Sequence, residues 1–223
     1  MKRYIIIVMV TTMLLIVTPL ITSCAEKPAE GVLPTLSIGD KWVWKVTVQG
    51  AELTEQIEVT GEDVTDGENC YVMQGTADIL ARVTKVDKTT MQMVSEQWSY
   101  EYGTWVTTLS YEFPEVLPFP LVVGKEYREV VTVTTNFTSN RPSIGSLKTY
   151  TTKSTYIRKV EGIERITVPA GTFRCFKIVT YDEGGYLLDT SWYSDKAKRN
   201  VKNVKTTDKS GDTTGELLSY SVH

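Results

Sequence analysis

The side chains able to do chemistry in this chain are few and badly spaced for catalysis. His223 is the single histidine and the last residue. A Ser-His-Asp or Cys-His arrangement would have to be built on it at a chain end, and histidine-rich zinc sites are excluded. Glu96, Asp182 and Glu183 are carboxylates that could serve a hydrolase, but no spacing selects a pair among them. Asp63, Asp66, Glu68 and Asn69 crowd into "EDVTDGEN", without the spacing or the terminal Glu of a calcium loop, and read as a turn. No phosphate-binding loop or dinucleotide fingerprint is present. No metal, cofactor or catalytic residue is expected.

Three cysteines remain. Cys70 and Cys175 sit in the strand-like contexts "NCYVMQG" and "RCFKIVT". They are either two buried thiols or a disulfide, and their spacing does not decide between these. Cys24 is different. It follows a basic Met1-Lys2-Arg3 start and an apolar run from Tyr4 to Leu20, the pattern of a secretory signal. The junction Ile21-Thr22-Ser23-Cys24 resembles the lipobox of prokaryotic lipoproteins. That resemblance implies acylation of the Cys24 thiol and cleavage just before it. Two or three acyl chains anchor stably where one does not. The expected organisation is a signal peptide over 1–23, a lipidated cysteine and flexible tether over 24–36, and one domain over 37–223. An uncleaved membrane anchor is the alternative for the apolar run. The expected location is outside the cytoplasm, on the cell membrane or on an outer membrane where one exists.

Loss of residues 1–23 leaves 200 of the 223 residues and moves the formal charge from −3 to −5, since Lys2 and Arg3 go. A mildly acidic chain of this length suits one domain with its own core, probes no phosphate backbone, and excludes nucleic acid as a partner. A monomer is expected. The basic stretch "KAKRNVKNVK" alternates as a strand does and reads as a solvated face.

Elements that could position a site are strands throughout. Thr, Val, Tyr and Ile dominate after Leu36, with Gly, Asp and Asn turns at short intervals and no helical period. The fold class is all-β, an antiparallel sheet curled into a barrel or half-barrel. In "TVPAGTF", Pro169-Ala170 make a turn and Gly171 takes a positive φ. In "SYEYGTWVTTLSYEF", a two-residue loop starting at Gly103 would pair Tyr102 with Trp105, and hence Trp98 with Leu109. That hairpin has an aromatic face, as does the strand holding Trp42 and Trp44. Trp42, Trp44, Trp98, Tyr100, Tyr102 and Trp105 are therefore the candidate ligand-binding residues. They would line a site for an apolar or amphiphilic small molecule, or simply fill a core. The proline-rich apolar stretch "FPEVLPFPLVVGKEY" is the mouth or lid of a cavity, a segment that docks on membrane, or a crossover against the sheet edge.

From Val160 onward, "VEGIERITVPAGTFRCFKIVTYDEGG" followed by "TSWYSDKAKRNVKNV" resembles uncharacterised envelope lipoproteins that share the V-P-A-G-T-F hairpin and the W-Y-S strand. "PFPLVVGKEY" and "LSIGDKWVWKV" resemble the same group. The resemblance implies a curled antiparallel sheet, and is looser towards lipoprotein-carrier half-barrels that hold acyl chains. The expected function is a non-catalytic binding or accessory module for an amphiphilic ligand or an envelope partner. The alternatives are a carboxylate-dependent hydrolase of an envelope substrate and a purely structural envelope lipoprotein.

Overall fold

A computed structural model describes residues 30–77, 80–100, 105–112, 119–139, 148–206 and 212–223. All regular elements among them are strands: β1 (Glu30–Gly31), β2 (Lys41–Val48), β3 (Ala51–Thr65), β4 (Glu68–Ala77), β5 (Leu80–Asp87), β6 (Met93–Tyr100), β7 (Trp105–Glu112), β8 (Leu121–Val122), β9 (Glu126–Ser139), β10 (Lys148–Val168), β11 (Gly171–Asp182), β12 (Leu187–Ser194), β13 (Arg199–Lys205) and β14 (Thr213–Ser221). Strands β1 and β8 pair as a small sheet. The other twelve form one antiparallel barrel, in which β14 pairs β2 and β9 joins β7 to β10. Closure leaves no free sheet edge.

Local chemistry explains the hairpins. Gln49-Gly50 and Asp66-Gly67 are two-residue connections with positive φ at both positions (52° and 82°, 52° and 89°). That is what a type I′ turn requires. The second of these turns lies within the acidic "EDVTDGEN" stretch. Val168 pairs directly with Gly171, whose φ is +128°, so Pro169 and Ala170 form the turn. Bulges at Val59/Gly61, Val160/Gly162, Trp192/Tyr193 and Leu217/Ser219 bend the long strands round the barrel. β10 is shared: its first part pairs with β9 and its second with β11.

Two apolar clusters fill the structure. The larger gathers Trp42, Ile57, Val59, Met73, Phe173 and Leu217. The smaller holds Leu121, Tyr127, Val160, Phe176 and Tyr193. Gly31 sits where a Cβ would stand 3.0 Å from both Leu121 and Phe176, which seats β1 against the second cluster. Phe119 meets Tyr193 edge-on at 5.5 Å. The proline-rich stretch, where it is described, thus packs on β11 and β12.

Two expectations need correction. The domain starts before residue 37: Glu30–Gly31 is a strand and Leu36 is buried, because paired backbone and apolar side chains hold this segment down. The aromatic hairpin pairs Trp98 with Thr107, not Leu109. Its strands end at Tyr100 and Trp105, four residues apart rather than two. A shift of two preserves the alternation, so the faces are unchanged.

Candidate functional site

The ladder register defines the inward face of the barrel. Trp42 pairs with Ile57, Ile57 with Gly75, Gly75 with Arg82, and Arg82 with Trp98. Directly opposed residues share a face, so all five point the way of the fully buried Trp42. Following the pairs through β7 and β9 to β12 brings Glu129, Arg158, Thr180, Asp189 and Ser191 onto that face.

Arg82 is the hub of the first charged group. One guanidinium nitrogen bonds Glu55, another reaches Glu96 at 3.3 Å, and the carbon lies 5.0 Å from the Trp98 ring centroid. Gly75 makes this possible: a Cβ there would stand 3.1 Å from Arg82 Nε. Arg199 enters the same region from β13. Its guanidinium lies 5.4 Å over Trp42, and Nη1 is 4.0 Å from Met73 Sδ. Burial, then repulsion from Arg82, lowers its pKa to about 10, with Glu55 acting in the opposite direction.

The second group surrounds Arg158. Glu129 is 2% exposed, and neither carboxylate oxygen has a hydrogen bond. Arg158 Nε stands 3.1 Å from Oε2, out of line to donate. Burial pushes the Glu129 carboxyl up, against the pull of Arg158. Asp189 is raised for the same reason, opposed by Lys205, Arg158 and a Ser191 hydrogen bond. Charges set inward at this density need solvent or a bound polar group to offset their desolvation.

A third group closes the β1 end. Asp40 is fully buried and accepts from the backbone amides of Ser37 (2.9 Å) and His223 (2.8 Å), with Lys198 Nζ at 3.3 Å. Burial opposes its ionisation, but these bonds hold it below the usual carboxylate value. Beside it lies an open cleft of about 390 Å³, lined in part by Val32, Pro34, Tyr193, Asp195 and His223.

The residues expected to bind a ligand separate. Trp42 and Trp44 are buried in the larger cluster, and the Trp42 indole donates to the Ala197 carbonyl at 2.8 Å. Both are packed among the buried side chains of that cluster. Trp98 is half-buried against Arg82. Tyr100 and Trp105 end β6 and β7. Tyr102 and Cys24 lie outside the described residues. Cys70 and Cys175 are both buried free thiols, so the disulfide considered between them is not formed. Burial raises both, Cys175 to about 12, which keeps them protonated and inert. The carboxylates do not converge: Glu96 pairs Arg82, Glu183 pairs Arg128 on the exterior, and Asp182 caps its own turn through the Tyr186 amide. Among the described residues no group of His, Cys, Asp and Glu is arranged to hold a metal. Sequence reasoning missed Arg199, Glu129, Arg158 and Asp189, whose inward position follows only from ring closure.

A structure described as a candidate lipoprotein of Parabacteroides distasonis is 13% identical, covering 87% of this chain and all of its own, with a TM-score of 0.36. A candidate exported protein with a YmcC-like fold from Bacteroides fragilis is 9% identical, covering 86% and 100%, with a TM-score of 0.40. No curated protein matches. The family model described as DUF3108-like matches residues 43–190, from β2 into β12. On that match, which spans most of the barrel, the chain belongs to the DUF3108-like family.

Proposed function

We propose that this chain is an extracytoplasmic protein tied to a membrane by lipid on Cys24, and that its barrel binds an amphiphilic ligand without transforming it. One observation carries the binding reading: the inward face bears Glu55, Arg82, Glu96, Glu129, Arg158 and Asp189 beside the half-buried Trp98. A barrel needing only to fold would fill that face with aliphatic side chains, which cost no desolvation. Aromatic walls with a few fixed polar groups are the make-up of a small-molecule site. Anchoring is supported by the basic and apolar leader that ends in Ile21-Thr22-Ser23-Cys24. The test is organic extraction of protein purified from its own host. A stoichiometric amphiphile in the extract supports the reading, and an empty extract together with no tryptophan fluorescence response to amphiphiles refutes it.

A hydrolase is the second reading. It is favoured by the raised carboxyls of Glu129 and Asp189 on either side of Arg158. Turnover of an envelope ester or glycan that disappears in Glu129→Gln would establish it over the first.

A further inference from the structure

Arg82 and Arg199 share one region of the interior but differ in one respect. Arg82 is neutralised twice, by Glu55 and by Glu96. Among the described residues Arg199 has no carboxylate within 4.0 Å, Glu55 acting on it only from further away; its polar neighbour is a thioether, Met73 Sδ, and its guanidinium lies 5.4 Å over the Trp42 ring. A thioether is a weak acceptor, and stacking on an indole offsets only part of the desolvation of a guanidinium. An interior cation with no carboxylate in contact is costly unless an anion completes it. Arginine presents a planar fork of donors that suits carboxylate and phosphate oxygens, and among the described residues the hydrogen-bond contact of this fork is Nη1 to Met73 Sδ. The surroundings are apolar on the Trp42 and Met73 side.

We infer that Arg199 is the anion-binding residue of the barrel, taking the carboxylate or phosphate group of an amphiphile whose apolar part lies along the half-buried Trp98. This rests on the binding function proposed above and names the charge of the ligand. The lowered Arg199 pKa agrees with it: burial and then Arg82 push it down, and Glu55 offsets only part of this.

The test uses the full chain in phosphatidylcholine nanodiscs, with empty nanodiscs as the blank. Octanoate, inorganic phosphate and the uncharged octyl glucoside are titrated by calorimetry. Octanoate should bind saturably, and Arg199→Met should weaken it about tenfold or more while leaving octyl glucoside unchanged. Arg199→Lys should retain part of the affinity, because it keeps the charge and loses the fork. Phosphate binding with the same dependence on Arg199 would assign a free-anion site, and octanoate binding without phosphate binding an amphiphile site. Without ligand, Arg199→Met should melt no lower than wild type, because the removed charge has no partner. A clear fall in melting temperature, or octanoate bound equally by wild type and Arg199→Met, would overturn the assignment of Arg199. Octyl glucoside binding alone would also overturn it while leaving an uncharged ligand for the barrel. No binding by any probe would remove the binding function as well.

Discussion

Arg82 and Trp98 oppose each other across the β5–β6 ladder, with the guanidinium carbon 5.0 Å from the ring centroid. The contact puts the ring of one indole under a cation that Glu55 and Glu96 both pair with. Removing that cation is therefore worse than losing one surface ion pair. Arg82→Met leaves two largely buried carboxylates without it and should cost about 3–5 kcal/mol, as broken buried pairs do. Arg82→Lys should fall between, since one ammonium cannot span both partners as a guanidinium does. Denaturant unfolding of the two variants gives the order.

Asp40 links residues far apart in sequence, from Ser37 to His223. Its native pKa is lowered, despite burial, by its hydrogen bonds. A depressed carboxyl contributes stability that is present above the unfolded pKa and lost as pH falls through the native value. Asp40→Asn should thus lose about 2–3 kcal/mol at neutral pH, the worth of charged hydrogen bonds. The difference from wild type should narrow below about pH 4. A gap that stays constant with pH would show that the carboxylate charge contributes nothing.

Glu129 carries the opposite sign. Burial raises its carboxyl in the native state. A raised carboxyl favours folding below the unfolded pKa, and that contribution is lost as pH rises through the native value. Glu129→Gln should then be more stable than wild type at neutral pH and not below about pH 4. Thermal melts at the two pH values check this, and a variant less stable at neutral pH would show that the ion pair with Arg158 outweighs burial.

Cys24→Ala should abolish acylation and lipoprotein-type cleavage. Intact mass of protein from its host is expected to show a chain beginning at an acylated Cys24. A mass fitting an unmodified start at Met1 or Ala25 would contradict membrane anchoring through this residue.

Much of the fold is legible in the sequence, since it depends on period and turn chemistry. Alternation in Lys41–Val48 marks Trp42 and Trp44 as one face, and both are buried. The Pro169-Ala170 turn and the positive φ of Gly171 follow from residue type alone. The site is less legible. "KAKRNVKNVK" alternates as a surface strand would, yet the Arg199 side chain extends over Trp42, and nothing local distinguishes it from Lys202, which pairs with Glu216. Alternation divides Glu126–Ser139 into two sets of residues. Only pairing with β7 and β10 decides that the set containing Glu129 faces inward. Residues 30–36 read as tether because Gly31 and Pro34 interrupt any period, while their partners, Leu121 and Phe176, are remote.

Trp98 gives the most direct measurement of whether the barrel interior is a binding site, because it is half-buried and lies on the charged inward face. Trp98→Ala is compared with wild type by denaturant unfolding and by amphiphile titration on the same preparation. A ligand wall predicts a stability loss of under about 2 kcal/mol together with about tenfold or more weaker binding. A loss of about 3–5 kcal/mol, the usual cost of deleting a large core ring, with no amphiphile bound by wild type would contradict it and leave Trp98 as packing.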